Sequence, residues 1–147
     1  MSKHLLVCGA IAASAVCLAT NARADLLNIE NPSFEAVILE DGDHVRGAPP
    51  GWELLYGKFG TFNPTLETFP LGVPDGENTA YSNGGQISQV LIDVLAANTL
   101  YTLQVEVGNR PETDFPGFVI QLLAGGDVLA EETSPFVPVT ATFETAV

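Results

Sequence analysis

From Tyr101 to Val107 the side chains alternate with a period of two: Tyr101, Leu103, Val105 and Val107 are apolar, while Thr102, Gln104 and Glu106 between them are polar. Successive side chains of a strand point to opposite faces, so this run predicts a strand with one buried and one wet face, the pattern of an antiparallel sheet. Phe118, Ile120 and Leu122 repeat the period, and Gly125-Gly126 turns the chain into Asp127 to Glu132, which predicts a hairpin. Val139, Ala141, Phe143 and Thr145 form another alternating run, and the shorter candidates are Leu26 to Glu30, Phe34 to Glu40, Trp52 to Tyr56, Thr79 to Ser82 and Gln86 to Ile92. After Ala24, 13 of the 14 glycines and all 10 prolines break every helical period, so short strands joined by turns remain. About nine such strands with irregular connections predict an all-β fold, an antiparallel β-sandwich of jelly-roll type. Asp41 to Gly51 and Gly57 to Glu77 are expected to be long loops, and loops of that length in a compact domain are commonly functional.

The N-terminus has a different grammar. Lys3 and His4 form a short basic region, Leu5 to Leu18 an apolar one, and Ala22-Arg23-Ala24 a small-x-small box before Asp25. This predicts a cleaved secretory signal peptide over residues 1–24 and one exported β-sandwich domain over residues 25–147, secreted or held in the cell envelope. The apolar stretch is shorter than the ~20 residues of a spanning helix, so no membrane insertion of the mature chain is expected. Cys8 and Cys17 lie in the leader, and their surroundings fit a lipidation box poorly; the mature domain has no disulfide, thiolate ligand or cysteine nucleophile. It keeps Arg46, Lys58 and Arg110 against 18 carboxylates, three positive charges and eighteen negative, a net of −15. Such a surface repels phosphate backbones and anionic lipid heads, which argues against nucleic-acid partners. At the other end the strand period runs from Val139 to Val147 without a stop signal, and the domain is expected to continue into further strands.

Several segments in order carry a resemblance. They are Leu27-Asn28, Asn31-Pro32-Ser33-Phe34-Glu35, Pro50-Gly51-Trp52, Gly60-Thr61-Phe62-Asn63-Pro64-Thr65, Pro74-Asp75-Gly76-Glu77-Asn78, Ala80-Tyr81-Ser82-Asn83-Gly84-Gly85, Ile87-Ser88-Gln89, Ala97-Asn98-Thr99, Tyr101-Thr102-Leu103 and Val107-Gly108-Asn109-Arg110. Together they resemble secreted bacterial jelly-roll domains of PEP-CTERM proteins, which are similar to galactose-binding-like and carbohydrate-binding modules. The resemblance implies a polysaccharide or cell-surface glycan as partner. The sorting tail and the last strand of such domains have no counterpart here.

The candidate ligand-binding residues are Trp52, Tyr56, Asn63, Tyr81, Asn83, Asn109 and Arg110, with Phe59 and Phe62 as further rim aromatics. Flat aromatic faces stack on sugar rings while Asn and Arg bond hydroxyls. Trp52 equally suits a core position between sheets, and Arg110 equally suits a clamp onto Glu112 or Asp114. For a structural calcium ion the candidates are Glu30, Glu35, Asp41, Asp43, Asp75 and Glu77; the same acids also read as solvated loop residues. His44 is the sole mature histidine and reads as a hydrated loop side chain, and no nucleophile elbow, zinc spacing or phosphate loop is present. The expectation is therefore a non-enzymatic, carbohydrate-binding module, with an acidic, calcium-stabilised matrix or adhesion protein as the alternative and a sugar or ester hydrolase as a minor one.

Overall fold

The computed structural model describes residues 5–8, 11–16, 26–97, 99–110, 114–134 and 143–146. Among them there is no helix. The strands are β1 (Leu5–Cys8), β2 (Ile11–Val16), β3 (His44–Arg46), β4 (Glu53–Tyr56), β5 (Phe59–Phe62), β6 (Thr79–Ser82), β7 (Gln86–Gln89), β8 (Thr102–Gly108), β9 (Phe118–Ala124), β10 (Asp127–Ser134) and β11 (Phe143–Ala146). They form a five-stranded sheet in the order β10-β9-β1-β7-β4 and a six-stranded sheet in the order β11-β8-β2-β6-β5-β3, antiparallel throughout.

The period of two decides what lies between the sheets. Val105 and Val107 of β8, Phe59 of β5 and Ala80 of β6 are buried from one sheet, Ile87 of β7 and Phe118 and Ile120 of β9 from the other, and all belong to one apolar cluster. Ile29, Phe34, Trp52 and Leu91 close its sides from the connections. Each large side chain so buried contributes about 1.5–3 kcal/mol. The molecule is thus an all-β, antiparallel sandwich. Ala124 pairs with Asp127 around Gly125 and Gly126, whose φ angles of 69° and 119° are open to glycine and strained for other residues, so the hairpin forms at the expected turn.

Three expectations need correction. The segments expected as long loops contain β3 and β5, because a strand of three or four residues is too short to show its period among glycines and prolines. Phe34 to Glu40 is a series of turns, entered through Asn31 and Phe34 at φ 50° and 65°. Leu26 to Glu30 joins no ladder: the Gln89 amide accepts from the Glu30 N–H at 2.8 Å and donates to the Glu30 carbonyl at 2.8 Å, standing in for a strand partner. The same Gln89 Nε2 also donates to the Gly51 carbonyl at 2.8 Å, tying the first segment to the Pro-Gly-Trp turn.

β1 and β2 fall within residues 1–24. β1 runs antiparallel to both β7 and β9, and β2 antiparallel to both β6 and β8. The strands on either side of each are therefore parallel to one another and two strand spacings apart, about 10 Å. Leu5-Leu6-Val7-Cys8 and Ile11 to Val16 are almost wholly apolar, the composition of strands covered on both faces.

Candidate functional site

Two concave features stand out, one on each side of the six-stranded sheet. The first lies on the face turned away from the core. Ala80, Thr61 and Val45 lie across from one another in register, with Ala80 in the core, so the neighbouring row of Tyr81, Gly60 and Arg46 faces outward. His44 and Phe62, also opposite each other, extend that outer row, and Asn83 follows two residues after Tyr81. His44, Arg46, Phe62, Tyr81, Asn83 and Arg110 enclose a cavity of about 220 Å³. The imidazole of His44 meets the Tyr81 ring edge-to-face at 5.9 Å, and Arg110 donates from Nη2 to Asn83 Oδ1 at 2.7 Å. Gly60 makes the floor: a Cβ there would come within 2.6 Å of Tyr81 Cε1, so a side chain at this position would lift the ring off the sheet.

The second feature opens between the sheets and has a volume of about 180 Å³. Tyr101, Thr102 and Leu103 line it from one sheet, and Ile120, Leu122, Ala130, Glu131 and Glu132 from the other. Glu132 pairs with Ile120 and Ala130 with Leu122, so these four share the face that turns toward the core. Glu131 pairs with Gln121 on the opposite face, and its Oε2 accepts a hydrogen bond from Gln121 Nε2. Glu132 lies on the core-turned face of β10 and is exposed at the mouth of the cleft, which Glu131 also borders. The Tyr101 hydroxyl accepts from the Ala96 N–H at 2.6 Å, which fixes the ring at the cleft wall.

Of the residues expected to bind a ligand, the fold brings Phe62, Tyr81, Asn83 and Arg110 together and disperses the others. Trp52 is buried with its ring 5.6 Å from Phe34 and its Nε1 donating to the Asn31 carbonyl at 3.3 Å. Tyr56 is exposed on β4 of the other sheet. Asn63 is buried and pins a turn, donating from Nδ2 to the Leu39 carbonyl at 3.0 Å. Asn109 is half-buried and engaged with its own partner. Arg110 takes Asn83 as partner, and Glu112 lies outside the described residues. Phe59 points into the core.

The acids form clasps. Glu35 Oε1 accepts from the N–H groups of Glu77 and Asn78 at 2.9 and 2.7 Å, and its Oε2 accepts from Asn78 Nδ2 at 3.2 Å. Ser33 donates to Asp75 beside it. Glu30 is held through its backbone by Gln89, and Asp41 and Asp43 sit in the turn that Asn63 pins. Among the described residues no group of three or more acids, histidines or cysteines converges as a metal ion requires. The residues that sequence reasoning passed over are Arg46, Leu103, Leu122 and Glu132. The signal for Glu132 was its in-phase position opposite Ile120, visible only once the register was known.

The model of the HpiC1-like family, described as HpiC1 cyclase, matches residues 25–147. No curated protein and no solved structure matches the chain. The family match overturns the expectation of a non-enzymatic carbohydrate-binding module and that of a structural matrix protein, and nothing supports the likeness to galactose-binding-like or PEP-CTERM domains. A cleft assembled from several strands leaves no local motif such as a nucleophile elbow or zinc spacing, so an enzyme of this kind carries no short signature along the chain. With its whole length after residue 24 matched, the chain belongs to the HpiC1-like cyclase family.

Proposed function

We propose that the domain closes a ring in an apolar, unsaturated substrate held in the cleft between the sheets, with Glu132 as the proton donor and acceptor. The observation that carries this reading is the register of β10 on β9, which sets the Glu132 carboxyl on the same face as Ile120. Protonated Glu132 gives its proton to one carbon of a substrate double bond, leaving a cationic carbon. A second π bond of the same molecule attacks that carbon, forming the new σ bond and moving the positive charge. Loss of a proton to the Glu132 carboxylate restores a double bond and the acid. The product is an isomer of the substrate with one ring more and one double bond fewer.

The other residues supply surroundings for that sequence. Leu103, Ile120 and Leu122 hold a folded apolar chain away from water, so the cationic carbon meets the internal π bond before a hydroxide or water. The face of Tyr101, held through its hydroxyl, stabilises passing positive charge by its quadrupole. The test is Glu132→Gln, which keeps the shape and removes the transferable proton. Loss of turnover with an unchanged fold supports the reading, and retained turnover refutes it.

We further propose that residues 1–24 are an export leader cut after Ala24. Two features support this: the small-x-small box itself, and a family match that begins at Asp25. The mass of protein recovered from outside the cytoplasm is expected to correspond to a chain starting at Asp25; a product that retains Met1 would contradict the leader. Cleavage would also open the central positions of β1 and β2, and the edges of β6, β7, β8 and β9 that they cover would then need new strand partners.

A further inference from the structure

After residue 24 the chain has four basic side chains, His44, Arg46, Lys58 and Arg110, against eighteen carboxylates. Three of the four line the cavity on the outer face of the six-stranded sheet. In so acidic a domain each arginine has many carboxylates to pair with. Yet Arg110 is bonded to the neutral amide of Asn83, and among the described residues no carboxylate lines the cavity beside Arg46 or His44. Two guanidinium groups facing one open space repel each other, and an anion in that space would relieve the repulsion.

We propose that this cavity binds a small organic oxyanion, a carboxylate or phosphate carried on a flat apolar body. The guanidinium fork matches both head groups: Arg has five N–H donors, and the bond from Nη2 to Asn83 fixes its plane while leaving the others for the ligand. His44 and the Asn83 amide add donors at the same end. Phe62 and Tyr81 supply the apolar walls, and Gly60 lets the Tyr81 ring lie flat over the sheet, so the body that fits best is planar. A volume of about 220 Å³ is below the ~300 Å³ at which pockets for drug-sized molecules begin, which limits the ligand to about one ring and its head group. The cavity and the cleft of the proposed ring closure lie on opposite faces of the six-stranded sheet, so binding here stands or falls independently of that chemistry.

Isothermal titration of the full chain at constant ionic strength, with benzoate, phenyl phosphate and benzyl alcohol as probes, tests the site. Saturable binding of benzoate or phenyl phosphate is expected, with none of benzyl alcohol. Preference for one anion over the other assigns the head group. Arg46→Ala and Arg110→Ala are each expected to weaken binding at least tenfold with melting curves unchanged. Should either variant fail to fold, Arg110→Lys keeps the charge and loses the fork, and a loss of several-fold is then expected. The proposal is overturned if neither anion binds, if benzyl alcohol binds as well as benzoate, or if the folded arginine variants bind as the parent does.

Discussion

Replacing Glu132 with Gln is expected to lower the rate of ring closure by about 10²–10⁴-fold, the usual worth of a positioned general acid. Gln has nearly the volume of Glu and keeps a hydrogen-bonding head, so β10 should hold its register with β9 and the melting temperature should hardly move. Glu131 is the internal control. It sits next in the chain and also borders the cleft, but its pairing with Gln121 turns it to the opposite face of the sheet, where its carboxylate accepts from Gln121. Glu131→Gln should therefore leave the rate within about threefold, since losing an exposed polar contact of this kind is worth about 0–1 kcal/mol. Initial rates of the two variants on one substrate make the comparison. Equal losses would mean that overall acidity, rather than the inward-facing carboxyl, drives the reaction.

Phe34→Ala is expected to cost about 3–5 kcal/mol of stability, the range for truncating a buried aromatic. Phe34 is wholly buried, packs on Trp52 at 5.6 Å, and holds the positive φ of 65° that turns the chain into the following segment. Its backbone is fixed from both sides: the N–H donates to the Asn31 carbonyl at 3.3 Å, and the carbonyl accepts from Asn78 Nδ2 at 3.3 Å. Those bonds keep the left-handed turn in place after truncation, so the cavity left by the ring cannot readily collapse. A fall in melting temperature on the order of 10 °C or more should follow, by the scaling for domains of this size. A thermal melt followed by circular dichroism checks it. A shift of only a degree or two would mean that the Asn31 to Glu35 motif does not anchor the core.

The strands that carry their own period were legible. Thr79 to Ser82 and the β9–β10 hairpin lie where alternation and the Gly125-Gly126 pair put them, and β8 is offset by a single residue. The strands β3 and β5 were not, because three or four residues between glycines show no period, and their place is set by the pairing of β3 with β5 and of β5 with β6. The motif residues of the resemblance, Asn31, Phe34, Trp52, Asn78 and Gln89, proved to be joints: each bonds or packs across long stretches of sequence, so their order along the chain speaks for architecture more than for a ligand. Tyr81, Asn83 and Arg110 could be picked singly as polar or aromatic turn residues. Their meeting with His44 and Arg46 depends on a sheet register that no local pattern encodes. Glu132 was hidden for the same reason, being one of eighteen acids until its partner strand showed which way it faces.

The claim beneath these results is that a proton from an acid in the inter-sheet cleft starts the ring closure. Turnover in heavy water, with mass spectrometry of the product, tests it most directly, because a carboxyl at the open end of the cleft exchanges with solvent between cycles. The expected product is the cyclic isomer bearing one solvent-derived deuterium on carbon. A cyclic product formed at full rate with no deuterium on carbon would contradict the account.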